Sequence, residues 1–179
     1  INPVDGNVFD TLIEVKIYPA NIFVTTKQTM LDAHKEIGKD LNEQVQYFRD
    51  GGQPQEAKRL DERVNYDLEM MRELGYCSGI ENYSRYFDKR EPGSRPFCLI
   101  DFFPKDFLMV VDESHVTIPQ IGAMYGGDFS RKKNLVEYGF RLPSAIDNRP
   151  LKFNEFDSML NQVIYVSATP ADFELSRCD

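Results

Sequence analysis

The sequence predicts an α/β fold in which a long antiparallel helical hairpin precedes an open sheet. The apolar run at 107–111 is typical of a strand buried on both faces, and two adjacent carboxylates come directly after it. A second apolar run at 162–166 ends in Ser-Ala-Thr. Two stretches with apolar residues at steps of three and four, joined at Gly51-Gly52, predict the hairpin.

The first 24 residues predict a short β segment. Residues 12–18 alternate apolar and charged side chains, and residues 21–24 form a second short apolar run. Two strands do not make a stable sheet alone, so they must join other strands or dock on the helical region after them. We therefore divide the chain into a β region at 1–24, a helical region at 25–102 and an α/β region at 103–179.

Residues 25–50 and 54–74 predict the two arms of the hairpin. Thr25 and Gln28 fit a capping box at the start of the first arm. His34 lies on the apolar stripe and is interpreted as a core or edge histidine. The predicted stripe is Met30, His34, Ile37, Leu41, Val45 and Phe48 on the first arm, and Ala57, Leu60, Val64, Leu68, Met71 and Leu74 on the second.

After the hairpin, aromatic and basic residues are interleaved. This mixture suits a single strand of nucleic acid, since bases stack on rings and phosphates pair with cations. A surface loop with its rings tucked into the core explains the pattern equally well. Residues 97–103 predict a further strand. The candidate nucleic-acid contacts are Tyr83, Arg85, Tyr86, Lys89 and Arg95.

The acidic pair Asp112-Glu113 is the main candidate for chemistry. Ligands collect at the carboxyl ends of strands in open α/β sheets. In P-loop nucleotide hydrolases, an Asp in this place holds Mg²⁺ on the β- and γ-phosphates, and a neighbouring Glu can polarise the attacking water. A solvated loop start is the simpler alternative. Pro119 predicts a break that presents Gln120.

Composition narrows the function classes. The chain has 179 residues and a formal net charge of −8, which argues against a free-standing, non-specific nucleic-acid binder. Three cysteines without metal-binding spacing indicate reduced thiols in a cytosolic protein. No apolar run approaches the ~20 residues of a membrane span. The chain begins with Ile1 rather than Met, which suggests a piece of a longer protein.

Several motifs, in order, resemble the UvrB family of bacterial nucleotide excision repair. Asp112-Glu113-Ser114-His115 resembles motif II of superfamily 2 helicases, and Ser167-Ala168-Thr169 resembles motif III. The resemblance extends over essentially the whole chain. The other segments that carry it are 67–73, 79–85, 139–145 and 147–151.

This resemblance implies part of a cytoplasmic, ATP-dependent, helicase-like motor that verifies DNA damage. Members of the family are loaded on damaged DNA by UvrA, probe the strand with a β-hairpin and recruit the nuclease UvrC. The three regions would correspond to the end of the UvrA-interacting domain, the helical insert of the first motor domain, and the later strands of that RecA-like (P-loop helicase) domain.

The resemblance also implies residue roles, with ATP and Mg²⁺ as cofactors. Asp112 would hold Mg²⁺ through water, and Glu113 would activate water as the catalytic residue. The stretches 79–95 and 112–120, with Gln120, would lie near DNA. The residues that would couple the nucleotide site to DNA are Ser114, His115, Ser167 and Thr169.

The sequence contains no phosphate-binding loop. Such a loop reads Gly-x-x-x-x-Gly-Lys-Ser/Thr, whereas the one Gly-Lys pair, Gly38-Lys39, is followed by Asp40 and has Ala33 at the first glycine position. We therefore expect the isolated chain neither to bind nor to hydrolyse ATP appreciably.

Two alternatives remain open. A non-catalytic UvrB-like module, as in transcription–repair coupling factors, would use the hairpin as a docking surface; the intact motifs favour the motor instead. An unrelated metal-dependent hydrolase would use Asp112, Glu113 and His115, but three residues on one turn rarely converge on one ion.

Overall fold

The computed structural model describes residues 25–177, together with Val8. The predicted strands at 12–18 and 21–24 lie outside these residues. The described part is mostly helical and contains a two-stranded parallel sheet, so the predicted combination of helices with strands is confirmed, with helices dominating. None of the helices in this part is both long enough and apolar enough to cross a membrane.

The helical hairpin has the predicted arms. Helix α1 spans Lys27–Asp50 and helix α2 spans Pro54–Leu74. Thr26, the last extended residue, caps α1 by accepting the Thr29 N–H at 3.2 Å. The predicted capping box at Thr25 is therefore one residue too early.

One apolar seam joins the two arms. Side chains three and four positions apart on each helix face the other helix. His34 is half-buried at the edge of the seam, whereas Leu74, predicted on the stripe, is 68% exposed at the last residue of α2. The buried seam residues are Ala33, Ile37, Leu41, Val45 and Phe48 on α1, and Ala57, Leu60, Val64, Leu68 and Met71 on α2.

Leu68→Ala should lower the free energy of unfolding by about 2–5 kcal/mol, the usual cost of truncating a buried leucine. Leu68 is 6% exposed, and Leu41 on the facing arm is 3% exposed, so Leu41→Ala should behave alike. Leu74→Ala is the matched control on the same helix and should stay within about 0.5 kcal/mol of wild type. Chemical denaturation measures the free energy of unfolding of the three variants. Equal losses of stability for Leu68→Ala and Leu74→Ala would contradict the assignment of Leu68 to the seam.

Short elements connect the hairpin to the sheet. Helix α3, Ser84–Asp88, follows α2. The predicted strand at 97–103 is wrong, because the Asp101 carboxylate accepts the Cys98 N–H at 2.7 Å and closes a tight local turn. This connection contains the 3-10 turns Ile80–Tyr83 and Leu99–Phe102, and a third 3-10 turn, Pro143–Asp147, lies later in the chain, between the two strands.

The sheet consists of strand β1, Leu108–Val111, paired in parallel with strand β2, Gln162–Tyr165. The crossover between them carries helices α4, Ser114–Glu137, and α5, Phe153–Met159, and the short helix α6, Asp172–Leu175, follows β2. One sheet face packs in a second core cluster that includes Val111 of β1, Ile118 of α4 and Phe156 of α5.

The prediction that the central strand is buried on both faces is wrong for the described residues. Side chains alternate between the faces of a strand, and the second core cluster covers one face only. Along β1 the residues alternate between exposed and more buried, and Ile164 on β2 is 49% exposed. The outward positions of β1 are Leu108 and Val110.

Helix α4 continues through Pro119, where the sequence predicts a break. Proline lacks an N–H, so the carbonyl of His115 loses its helical donor. The proline lies in the second turn, and the helix then continues to Glu137. Gln120 is exposed, as predicted, but it lies on a helix rather than after a break.

Candidate functional site

The chain turns sharply at the end of β1. Glu113 adopts the left-handed conformation, with φ 44°, and precedes the first residue of α4. Its N–H donates to Asp112 Oδ1 at 2.9 Å, and the Thr117 hydroxyl donates to the Asp112 carbonyl at 2.9 Å. This turn directs the strand into the helix and leaves both carboxylates exposed at the carboxyl edge of the sheet.

The end of β2 lies directly beside this turn. Val166 N–H donates to the Val111 carbonyl at 2.9 Å, and Ser114 N–H donates to the Val166 carbonyl at 3.0 Å. The parallel register therefore continues past both strands. It brings the segment at 112–115 and the segment at 167–169 to the same edge.

Side chains from the two segments also meet. Ser167 Oγ lies 2.8 Å from His115 Nδ1, and it accepts the Thr169 N–H at 3.1 Å. Glu113 Oε2 lies 3.5 Å from the same His115 nitrogen. One chain of polar contacts thus extends from the exposed Glu113 carboxylate to the loop after β2. Ser114, the remaining predicted coupling residue, is completely buried.

The strand-end residues do not form a protein-only metal cage. Within residues 25–177, no group of three or more His, Cys, Asp or Glu side chains is arranged to hold a metal ion. The arrangement at Asp112, Glu113 and His115 therefore lends no support to the metal-dependent hydrolase. An exposed Asp112 carboxylate is compatible with an ion held partly by water and phosphate oxygens.

The two predicted DNA-stacking residues are both core residues. Tyr83 is 2% exposed and its hydroxyl donates to Asp67 Oδ2 at 2.8 Å; Tyr86 is 5% exposed and donates to Asp40 Oδ2 at 2.7 Å. Burial, with these carboxylates, raises the pKa of both phenols. Neither ring face is open to a base, which corrects the stacking role assigned to Tyr83 and Tyr86.

Arg85 is also committed to contacts within the protein. Its guanidinium donates to Asp40 Oδ2 at 2.9 Å and to Asp147 Oδ2 at 2.8 Å, and its side chain is 13% exposed. Asp147 Oδ1 accepts the Gly93 N–H at 2.9 Å. Arg85 therefore joins α1, α3 and the 3-10 turn that ends at Asp147, which corrects its assignment as a free phosphate contact.

Arg95 is paired in the same way. Its guanidinium forms a bidentate contact with Asp101, at 2.8 and 2.6 Å, and Asp101 raises the pKa of Arg95. This pair stabilises the 3-10 turn at Leu99–Phe102. A phosphate would have to compete with that carboxylate, so the structure does not support a free Arg95.

Lys89 and Gln120 remain available as candidate DNA contacts. Both are exposed, and Lys89 ends α3 in the left-handed conformation with φ 53°. Lys89 lies at a groove of about 620 Å³ between α1 and the segment that follows α3. The charges along that groove are mixed rather than uniformly basic, and they include Lys35, Lys39 and Lys89 together with Asp32, Glu36 and Glu91.

Sequence reasoning missed the buried carboxylates of Asp147 and Glu174. Asp147, in the 147–151 motif, is 7% exposed and organises the Arg85 contacts; Glu174, on α6, is 3% exposed beside the strand-end site. The place of Asp147 in that motif is a signal that could have identified it. Glu174 carries no local pattern that separates it from the exposed Asp172 on the same helix.

Comparison with known proteins agrees with the resemblance that the motifs indicate. A family model described as the UvrB third helical domain matches residues 28–89, which contain nearly all of α1 and the whole of α2 and α3. Relatives named UvrABC system protein B match all 179 residues, with 67% identity in Bacteroides fragilis, 64% in Bacteroides thetaiotaomicron and 63% in Cytophaga hutchinsonii. The chain spans about a quarter of the length of these curated relatives, 26–27%. The resemblance indicated by the motifs is therefore confirmed: over its whole length, the chain matches part of UvrABC system protein B.

Proposed function

We propose that this segment contributes to the ATP-dependent motor of a UvrB-type protein that acts on damaged DNA in nucleotide excision repair. The proposal rests on one observation. His115 Nδ1, just after β1, lies 2.8 Å from Ser167 Oγ, just after β2, so side chains at the two strand ends are in contact. A nucleotide motor needs such a link, because events at the phosphates must reach the nucleic acid. The names of the relatives assign those proteins to the UvrABC system.

Asp112 and Glu113 have the chemistry that such a site requires. The Asp112 carboxylate is exposed at the carboxyl edge of parallel strands, where it fits a water-mediated contact to Mg²⁺. Bound ATP with Mg²⁺ would supply the transferable phosphoryl group and neutralise charge on its oxygens. The Glu113 carboxylate, 66% exposed, is free to accept a proton from water or to orient it.

The phosphate cradle in this proposal comes from another part of a longer protein. The Gly38-Lys39 pair lies inside α1 rather than in a loop, so it cannot wrap phosphates. Its backbone amides are used by the helical hydrogen bonds of α1 and are not turned toward a ligand. We therefore expect the isolated 179-residue chain to be inactive toward ATP, and we assign the activity to the full-length protein.

The coupling residues have distinct parts in this proposal. His115 contacts Ser167 and lies near Glu113, so a change at the nucleotide is passed to the loop after β2. Thr169 is exposed at the far side of that loop and is free to meet another segment or DNA. Lys89 and Gln120 are the exposed candidates for DNA contact. UvrA, as the loading partner, and UvrC, as the recruited nuclease, belong to the same proposal.

A double-mutant cycle between His115 and Ser167 tests this proposal in the full-length protein. His115→Ala and Ser167→Ala should each lower DNA-stimulated ATP turnover, and the double variant should be little worse than either, because both changes break one link. A coupling of about 0.5–3 kcal/mol is expected for residues in contact. The measurement is the steady-state turnover number with and without damaged duplex DNA.

The matched control replaces Ser130, an exposed serine on α4, instead of Ser167. The effects of Ser130→Ala and His115→Ala should add. Additive effects for His115 and Ser167 as well would show that their contact does not couple the two strand ends. A full-length protein without ATP turnover would favour the non-catalytic binding module.

A further inference from the structure

The segment after β2 folds back onto the first turn of α4. Helix α6 packs against α4. Glu174 of α6 is 3% exposed, and its Oε2 accepts the Ala171 N–H at 2.9 Å. Its other carboxylate oxygen is buried without a hydrogen-bond partner among residues 25–177. A buried carboxylate is costly unless neighbouring groups compensate its charge.

Ser114 is the neighbouring group. It is completely buried at the first position of α4, and its Oγ also has no hydrogen-bond partner in the described part of the chain. The Ser114 hydroxyl lowers the pKa of Glu174 and outweighs the opposing effect of burial, with a further contribution from His115. The amino-terminal end of a long helix also favours a negative charge.

Ser114 is thus held from two sides by the segment that follows β2. Its N–H donates to the Val166 carbonyl at 3.0 Å, and its buried hydroxyl lies at the start of the helix against which α6, with the buried Glu174, packs. The residue before it, Glu113, has φ 44°. A non-glycine residue is strained in this region, so it persists only where neighbouring contacts fix the backbone. The Val166 contact of Ser114 and the packing of α6 against α4 supply that constraint.

We propose that Glu174 is a positioning residue for the strand-end site: by holding Ser114, it fixes the left-handed turn that orients the Glu113 carboxylate. Glu174 does not touch the nucleotide in this proposal. It acts through Ser114, so its removal should affect turnover more than nucleotide binding. The inference rests on the proposed motor function, because its main consequence is a slower hydrolytic step.

Glu174→Gln in the full-length protein removes the charge at nearly constant size. We expect kcat for ATP in the presence of damaged DNA to fall about tenfold, with KM within about twofold of wild type, because a misoriented group weakens the reacting geometry and not the binding of ATP. Asp172→Asn is the matched control: an exposed carboxylate on the same short helix, expected to leave both constants unchanged. Turnover is measured below the melting temperature of each variant.

A second variant, Glu174→Asp, keeps the charge but withdraws it by one methylene. It should also lower kcat without raising KM, and it replaces Glu174→Gln in the test if that variant does not fold. Wild-type kcat in a folded Glu174 variant, or a raised KM with unchanged kcat, would overturn this inference and leave the proposed function standing. Absence of ATP turnover in the wild-type protein would overturn the proposed function and this inference together.

Discussion

Arg85→Ala should destabilise the protein by about 3 kcal/mol or more, the usual cost of removing one partner from a buried ion pair. Arg85 bridges Asp40 on α1 and Asp147 near α4, at 2.9 and 2.8 Å. The Asp147 side chain is 9% exposed and the Asp40 side chain 33% exposed. The change would therefore leave one carboxylate in the interior and a second one close by without their shared cation.

The electrostatics of Arg85 support this expectation. Burial by itself would lower the pKa of Arg85, but Tyr86, Asp147 and Asp40 outweigh burial and raise it. The protonated guanidinium is thus stabilised by the folded protein. Tyr86 adds a second contact, because its hydroxyl donates to the same Asp40 oxygen that Arg85 binds.

Arg72→Ala is the matched control for this prediction. Arg72 pairs with Glu73, and both side chains are 63% exposed, so its loss should cost at most about 0.5 kcal/mol. Urea denaturation of the wild type and both variants gives the comparison. Equal stability of the Arg85 and Arg72 variants would show that the Arg85 contacts contribute no more than an ordinary surface pair.

The helical hairpin could be predicted closely because its determinants are local. Apolar spacing indicates the seam, and Gly51-Gly52 with Pro54 marks the boundary between the arms; α1 and α2 begin and end within a residue or two of the prediction. The two strands could be located for the same reason. Their exposed face could not, because it depends on which elements cover the sheet and not on the strand sequence.

The environment of Tyr83 and Tyr86 could not be predicted. Their hydroxyl partners, Asp67 and Asp40, are 16 and 46 residues away in the chain, so only the fold brings them together. The sequence shows an aromatic and basic cluster, and the same cluster suits a DNA surface or a polar core. The structure shows that these two residues belong to the core.

Local rules also fail at two backbone features. Pro119 predicts a break in the chain, but near the start of a long helix its cost is limited to one backbone hydrogen bond. The apolar residues at 97–103 predict a strand, yet the single carboxylate of Asp101 holds a turn there through Cys98 and Arg95. At 97–103 one nearby contact thus outweighs the general propensity.

Glu174 shows why a functional site is harder to predict than a fold. The residues of the strand-end motifs are identifiable because their chemistry follows an apolar run. In our proposal Glu174 supports them from a separate short helix, α6, and both Glu174 and Ser114 are buried where α6 packs against α4. Such a supporting residue can be identified only when the burial of its side chain is known.

Glu113→Gln in the full-length protein is expected to have the largest effect on activity. Glutamine keeps the size of the side chain but cannot take a proton from water, so ATP turnover should fall by about 100-fold or more. Nucleotide binding should persist, because the hydrogen bonds of the turn do not involve the Glu113 carboxylate: Glu113 N–H donates to Asp112 Oδ1, the Glu113 carbonyl accepts two N–H groups of α4, and Ser114 N–H donates to the Val166 carbonyl. Glu137→Gln, at the exposed other end of α4, is the matched control and should leave turnover unchanged.

The turnover number of this variant, measured beside its affinity for ATP, tests most directly the central claim that the edge formed by β1 and β2 is a hydrolytic nucleotide site. The account predicts wild-type affinity for ATP together with nearly abolished hydrolysis, with and without damaged DNA. Hydrolysis at the wild-type rate in Glu113→Gln would contradict the claim and remove the catalytic role of Glu113.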